Sequence, residues 1–313
     1  MNDVPGPASS RIAAEIRGQI QSGELAAGER VPSTREITRR WGVAMATASK
    51  VLATLKEEGL VRTRRGVGTV VARTSSSRPR ASARARDAEA ALTRERIVAA
   101  ATAIADKEGL GALSMRHVAA ELDVATMSLY RHIRDKDDLL ALMIDSAFAE
   151  WRGSPLKSGE TWQEILAKAA REMWSIFRRH LWLAPAYSVT RPLVVPSGLA
   201  YTEHVLGTLL DRGLKPATAF SMSLILFNFV RGFATSLEME ATAEAETGVT
   251  ADAWMDVQKP ALEAVLADRD LPAFRAVLDS FEPEGYDMDL DELFEAGLRY
   301  LLNGFDRASD RRE

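Results

Sequence analysis

The chain of 313 residues has no cysteine, a formal net charge of −4 and 46% hydrophobic residues. This length suffices for two or three domains with cores of their own. The absence of cysteine excludes disulfides and cysteine–zinc sites, and because it is typical of a reducing compartment we expect a cytoplasmic protein. We expect no signal peptide, and the most apolar segment, Met222 to Val230, is far shorter than the roughly 20 residues of a membrane span.

Positive charge is concentrated at the N-terminal end. The segment from Met1 to Arg86 has 16 Lys and Arg against 7 Asp and Glu, whereas the whole chain has 40 against 44. The rest of the chain is therefore acidic. A basic head on an acidic body is expected when one end binds a polyanion and the other does not.

The first predicted helix spans Arg11 to Gln21, where isoleucines four residues apart form one buried stripe. Ser33 precedes the second helix, with Glu36 three residues on, which is the spacing of a capping box. Gly42 ends this helix. A basic hairpin with short strands at Leu60 to Arg64 and Thr69 to Ala72 closes the segment.

Between Gly42 and the hairpin lies a third helix. It turns one apolar face towards a core, made by Ala48, Val51, Leu52 and Leu55. The residues left on the outer face include Met45, Thr47 and Lys50.

The segment from Ser10 to Arg73 resembles the N-terminal domain of the GntR family in GELAAGERVPSTRE, the KEEGLV element and the GVGTVV wing. The resemblance implies a winged helix-turn-helix whose third helix enters the major groove of DNA. The contacts that it implies are those of Ser33, Thr34, Arg35, Thr47, Lys50, Arg64 and Gly66. We add Met45, because an outward apolar side chain on that helix can contact thymine methyl groups.

The segment from Thr74 to Ala91 is rich in serine, alanine and arginine and has no apolar period, which predicts a linker. A flexible chain of this length reaches about 24 Å. Its arginines either contact DNA phosphates or a minor groove or belong to a solvated tether; the pattern favours the tether.

A second helix-turn-helix pattern begins at Leu92. Ser114 caps a short predicted helix, Asp123 to Thr126 forms the turn, Met127 to Ile133 the next helix, and Asp135 opens a longer one. The sequence TRERIVAAATAIADKEGLGALSMRHVAAELDVATMSLYRHIRDKDDLL resembles the DNA-binding domain of the TetR family, including its S-L-Y-x-H run.

This second resemblance implies that five residues face the major groove and that a lysine meets a phosphate: Thr126, Met127, Ser128, Tyr130, His132 and Lys136. The segment from Asp87 to Trp151 has only 7 Lys and Arg against 12 Asp and Glu. A second head kept as a packing scaffold with weak DNA contact is therefore the alternative.

The remaining sequence predicts helices and no strands. The S-L-Y-x-H run is characteristic of the tetracycline-repressor branch, so the resemblance implies a C-terminal ligand and dimer domain. Thr218 to Met239 and Asp289 to Phe305 would pair with their copies in a four-helix bundle. Between them we expect one or two helices broken at Pro260 and Pro272.

Aromatic residues of this body are candidates for an apolar ligand pocket, since such pockets are lined mainly by hydrophobic side chains. The candidates are Trp174, Phe177, His180, Trp182, Phe227, Phe229 and Phe233. An ordinary hydrophobic core is the alternative explanation.

Metal sites and catalytic motifs receive no support. Asp287, Asp289 and Asp291 imitate the start of an EF-hand loop, but Glu292 stands where glycine is required and Leu298 where glutamate is required. His117 and Glu121 lie one helical turn apart, which more often marks a surface pair than a metal site. We predict no cofactor, no metal and no enzyme activity.

The predicted fold is mainly α: a GntR-like winged helix-turn-helix at 1–73, a linker at 74–91, a TetR-like head at 92–152 and an all-helical ligand and dimer domain at 153–313. We expect a homodimeric transcriptional regulator, by default a repressor. Its partners would be a double-stranded DNA operator and a small, largely apolar effector, with no membrane. The alternatives are a sequence-indifferent architectural DNA-binding protein and a ligand-converting enzyme on a helical scaffold.

Overall fold

A computed structural model describes residues 8–64, 67–72, 91–153, 158–281 and 288–310. Gly66 and all but the last residue of the predicted linker from Thr74 to Ala91 lie outside these ranges. The chain forms two compact units, Met1–Ser146 and Ala147–Glu313.

The first unit contains both predicted heads. Its elements are α1 (Ala8–Gln21), α2 (Thr34–Trp41), α3 (Met45–Glu57), β1 (Val61–Arg64), β2 (Gly68–Val71), α4 (Arg94–Glu108), α5 (Met115–Glu121), α6 (Thr126–Leu129) and α7 (Lys136–Phe148), the last of which crosses into the second unit.

Local signals fix the elements of the first head. Ser33 and Glu36 form the predicted capping box at the start of α2, and Gly42 ends that helix with φ 65°, a left-handed conformation that glycine adopts without strain. The strands β1 and β2 pair antiparallel, with Val61 opposite Val71. Isoleucines and leucines from α1, α2 and α3 are buried together beneath this hairpin.

The second head begins with α4, which Thr93 caps, and Ser114 caps α5 as predicted. The turn after α5 contains Asp123 at φ 53°. Helix α6 is shorter than expected, because it ends at Leu129 with Tyr130 as its C-terminal cap instead of continuing to Ile133.

In the second unit the described residues are helical apart from turns and connecting segments. The helices are α8 (Trp162–Arg179), α9 (Leu183–Ala186), α10 (Pro196–Asp211), α11 (Pro216–Thr247), α12 (Ala251–Asp268), α13 (Pro272–Phe281) and α14 (Leu290–Asp310). A second capping box, Thr161 with Glu164, starts α8. The mainly α architecture with one small two-stranded sheet is as predicted.

Two prolines of the second unit behave differently. Pro272 opens α13, as the pattern predicts, but the predicted break at Pro260 is wrong because this residue lies inside α12. None of the residues of α12 is buried, so water can satisfy the backbone carbonyl that loses its intrahelical partner at proline.

Helix α11 is the central helix of the second unit and packs against α8, α10 and α14. By length and composition it would pass as a membrane span, a test that core helices of soluble proteins also pass. It packs tightly against α14 at Gly297, where an added Cβ atom would lie 2.8 Å from Phe229 Cε2. Glycine at this position therefore makes room for an aromatic ring.

Candidate nucleic-acid interface and ligand domain

The outer face of α3 in the first head is accessible. Ala48, Val51 and Leu55 are fully buried, whereas Met45 is 57% exposed. Lys50 is exposed and Thr47 is half-buried. The helix therefore presents one cation and one apolar side chain outward, an arrangement that can contact phosphate or base edges.

The start of α2 offers a different surface. Arg35 is exposed and Thr34 is half-buried. The hydroxyl of Ser33 donates to Glu36 Oε2 at 2.6 Å, and the backbone N–H of Ser33 donates to the same oxygen at 2.7 Å. These hydrogen bonds hold the pKa of Glu36 below its ordinary value. Because a carboxylate already occupies this helix start, the main role of Ser33 is capping.

The wing presents more cations than the sequence analysis selected. Arg64 is exposed on β1, and so is Arg62. Arg30 lies across the hairpin, with its Nε 3.3 Å from the position of a Cβ at Gly68. The R-T-R-R run around β1 could have indicated Arg62, but nothing local connects Arg30 to the wing.

The second head exposes only part of its predicted DNA-binding set. Lys136 is exposed, and Thr126, Met127 and His132 are half-buried. Two further members, Ser128 and Tyr130, are 3% and 9% exposed.

Tyr130 is covered by the first head. The guanidinium of Arg17 lies 4.6 Å from the centre of the Tyr130 ring. Burial, and to a smaller extent the charge of Glu58, raise the pKa of the Tyr130 hydroxyl above its ordinary value.

His117 is half-buried in the second head. Its Nδ1 is 3.3 Å from the carbonyl oxygen of Ala112 and its Nε2 is 4.0 Å from Glu108 Oε1. The carboxylate near His117 is therefore that of Glu108 and not that of Glu121, which the sequence places one helical turn away. Across the described ranges no group of three metal-ligating side chains occurs.

The predicted aromatic set of the second unit falls into two clusters. In the first cluster Trp174 stacks on Phe294 at 4.8 Å between ring centres, and Phe229 and Phe233 complete the group. Trp174 Nε1 donates to Asp291 at 2.8 Å. This cluster joins α8, α11 and α14, as expected of a hydrophobic core.

The second cluster surrounds Phe227. Its ring lies 6.1 Å from Phe177, 5.7 Å from Tyr187 and 6.0 Å from Tyr201, and Phe148 at the end of α7 lies 6.3 Å away. The sequence analysis did not select Phe148, Tyr187 or Tyr201, because they lie in three elements far apart in the chain.

Polar groups at the edge of the second cluster lack partners. The Tyr201 hydroxyl and the indole N–H of Trp151 are buried and form no hydrogen bond with any described residue, although the two rings are 5.7 Å apart. Buried polar groups normally have partners. This part of the unit therefore combines apolar walls with unused donors, which are the two components of a ligand site.

His180 and Trp182 are buried at the end of α8. The Nε2 atom of His180 is 2.9 Å from Glu150 Oε1, and Arg179 contacts Glu150 Oε2 at 2.6 Å. Burial opposes ionisation of Glu150, but these two partners outweigh it and hold the pKa of the carboxyl below 4.5. His180 is thus engaged by a carboxylate.

An open cleft of about 470 Å³ lies between α8 and α14. Charged residues, among them Lys168, Arg171, Glu295 and Arg299, line most of it. None of the predicted aromatic ligand residues lines this cleft. Because none of those aromatic residues lines the cleft, and because two buried donors without partners among the described residues lie beside the second aromatic cluster, we favour that cluster as the candidate site.

Comparison with protein families matches three parts of the chain. Residues 8–71 match bacterial regulatory proteins of the gntR family, residues 97–143 match bacterial regulatory proteins of the tetR family, and residues 154–308 match the tetracyclin repressor-like C-terminal domain. The order of the three matches is the order of the two heads and the helical body.

Two curated transcriptional regulators are similar to about two thirds of this chain. The HTH-type transcriptional repressor DrrR1 of Streptomyces coeruleorubidus is 37% identical over 69% of this chain and 77% of its own length. An HTH-type transcriptional regulator of Saccharopolyspora erythraea is 32% identical over 68% of this chain and 84% of its own.

Among solved structures, apo ActR from Streptomyces coelicolor is 28% identical over 70% of this chain and 97% of its own, with a TM-score of 0.55. ActR in complex with actinorhodin is 29% identical over 68% and 94%, also with a TM-score of 0.55.

Proposed function

Because the chain belongs to the TetR family of transcriptional regulators and has a gntR-family domain at its N-terminal end, we propose that it is a repressor with two different DNA-reading heads and an effector-binding body. It is a DNA-binding regulator by its family. The two-headed reading of an operator, the sign of regulation and the effector class are our proposals, as is its location in the cytoplasm.

The observation that carries the proposal is the exposed basic surface of the first head. Lys50 on α3 and Arg62 and Arg64 on the wing are all exposed. A helix that enters the major groove beside a cationic wing can contact bases and backbone together. We assign DNA contact to this surface, with Arg35 and Thr47 at its edge.

In the second head we assign DNA contact to Thr126, Met127, His132 and Lys136, which are at least partly accessible. Since the acidic balance of this head gives it little electrostatic attraction, we expect it to add selectivity more than affinity.

Dimerisation through α11 and α14 is supported by their outward apolar side chains. Phe220, Leu224 and Ile225 on α11 are 51%, 37% and 49% exposed, and Tyr300 on α14 is 71% exposed. Exposed apolar patches of this kind mark association surfaces. A dimer would place four heads on one assembly.

We propose that the effector binds beside the second aromatic cluster, with Tyr201 and Trp151 as hydrogen-bonding groups. The similarity to ActR, which was solved in complex with actinorhodin, supports a small-molecule effector for this chain. Phe148 lies at the end of α7, so a ligand against Phe148 touches the helix that continues from the second head. Binding there would shift the population between forms with different affinity for the operator.

Selection of bound sequences from a random DNA pool tests the proposal. The full chain should enrich a discrete sequence, the variant Lys50→Ala with Arg64→Ala should enrich little, and Thr126→Ala with His132→Ala should enrich only part of the parent sequence. Equal affinity for selected and random duplex would contradict the proposal and favour an architectural DNA-binding protein.

A further inference from the structure

A buried ion pair lies in the first head at the point where the second head covers it. Arg17 on α1 contacts Glu58 with two nitrogens, Nη2 to Oε1 at 2.6 Å and Nε to Oε2 at 3.2 Å. Arg17 is 3% and Glu58 5% exposed. Ion pairs on protein surfaces normally remain in water, so this burial needs a cause.

The second head provides the cover. Arg17 Nη1 donates to the backbone carbonyl of Arg134 at 3.3 Å, and the ring of Tyr130 lies over the guanidinium at 4.6 Å. Next to Glu58, a Cβ at Gly59 would lie 3.5 Å from Cδ of Arg116 on α5. The three residues Arg116, Tyr130 and Arg134 all belong to the second head.

These contacts satisfy the charged pair. A guanidinium has five N–H donors in a rigid fork. The Glu58 carboxylate and the Arg134 carbonyl together accept hydrogen bonds from all three nitrogens of Arg17, and the Tyr130 ring packs on one face of the guanidinium. Removing water from a charged pair is unfavourable unless such partners replace it. The ion pair is therefore suited to a docked second head.

The contact with Arg17 also shields Tyr130 from solvent. This is unexpected from the sequence, because Tyr130 belongs to the S-L-Y-x-H run for which the resemblance implies DNA contact. Its hydroxyl is buried beside Glu58 and Arg17 but forms no well-directed hydrogen bond with them or with any other described residue. A buried hydroxyl without a partner weakens the docked arrangement. A phosphate oxygen of DNA could accept this hydrogen bond if Tyr130 were exposed.

We propose that Arg17 and Glu58 form a latch that keeps Tyr130 of the second head off DNA, and that the second head makes its full set of DNA contacts only when this latch opens. The proposal rests on the proposed function in its DNA-binding part, whereas the latch itself concerns contacts between the two heads. In the latched form the first head reads DNA and restrains the second.

Hydrogen exchange of the full-length protein without DNA tests the latch. In Arg17→Met, the backbone amides of residues 128–134 should exchange about tenfold faster or more, the change expected from loss of one charge-assisted hydrogen bond. The control Arg11→Met removes the same charge from an exposed position of α1 and should leave this segment unchanged. Equal exchange in the parent and Arg17→Met would overturn the proposal.

Two further variants separate the latch from simple misfolding. Tyr130→Phe keeps the ring and removes the unpartnered hydroxyl, so exchange in residues 131–134 should slow; faster exchange would overturn the proposal. Glu58→Gln keeps the shape of the pair and should behave like Arg17→Met while α4 and α5 keep parental exchange.

Footprinting on the selected DNA gives a second test. Arg17→Met should strengthen protection at the part of the site that depends on Thr126 and His132, whereas Arg11→Met should not. An unchanged footprint together with faster exchange would overturn the regulatory role of the latch. If the parent binds no selected DNA at all, the proposed function fails, and hydrogen exchange still decides whether the latch exists.

Discussion

The electrostatic role of the first head can be tested by removing two cations. Lys50 on α3 and Arg64 on β1 are exposed, and both lie on the proposed DNA-binding surface. If each neutralises one phosphate, the double variant Lys50→Ala with Arg64→Ala loses two ionic contacts per chain and four per dimer. Each lost contact lowers the slope of log K against log salt by about 0.9.

The expected slope change for a dimer is therefore about 3.6. Over a fourfold rise in salt concentration, the parent should lose about a hundredfold more affinity than the variant. Fluorescence anisotropy of labelled operator at several salt concentrations measures both slopes. The assay needs the operator obtained by selection with the parent chain.

A matched control is available in the second unit. Arg269→Ala with Arg275→Ala removes the same net charge at two exposed positions that we do not assign to DNA contact. For this control, the slope of log K against log salt should differ from the parental slope by less than about 0.9, which is the contribution of one contact. Coincident slopes for the two double variants would refute the assignment, because then only net charge would matter.

Three further predictions concern stability. Gly297→Ala would place its Cβ 2.8 Å from the Phe229 ring and should lower the free energy of urea unfolding by about 1–3 kcal/mol. The control Gly304→Ala, whose Cβ would have no atom within 4 Å, should not lower it. Equal effects of the two substitutions would contradict this packing. Ser33→Ala removes the cap of α2 and should destabilise the first head by about 1 kcal/mol with unchanged operator affinity, and weaker operator binding by the folded variant would instead assign Ser33 to DNA contact. Burial opposes ionisation of Glu150, but His180 and Arg179 hold the pKa of its carboxyl below the ordinary value, so its ion pairs stabilise the folded protein at neutral pH and lose this effect as pH falls through the folded pKa. Glu150→Gln should lower the thermal midpoint at pH 7 by an amount that shrinks as pH is lowered, and a difference that is the same at every pH would argue against this.

Features that depend on neighbouring residues could be predicted from the sequence. The capping box of Ser33 and Glu36 and the end of α2 at Gly42 follow from side chains that act within one helical turn. The apolar period of α3 likewise indicated which face is buried. Both heads and the helical body were identified because each has such local signals.

Features that depend on distant residues could not be predicted. Tyr130 matches a DNA-contacting position of its family, yet its burial depends on Arg17 and Glu58, which are more than 70 positions earlier in the sequence. The aromatic set likewise looked uniform, although the fold assigns Trp174 to a core and Phe227 to a different cluster. Periodicity identifies which side chains face inward, but not which partners they meet.

The dependence of Arg17 on cover from another domain limits modular evolution of this chain. In a chimera whose TetR-type head came from a different protein, the Arg17–Glu58 pair would stay dehydrated only if the new head supplied an equivalent aromatic ring and carbonyl. A new head that covered the pair without such a carbonyl would leave Arg17 Nη1 buried without its acceptor, which costs about 1–3 kcal/mol. In homologues with the same domain order, we therefore expect the two DNA-binding heads to be inherited together. A chimera that replaces one head alone should need compensating substitutions where the two heads are in contact.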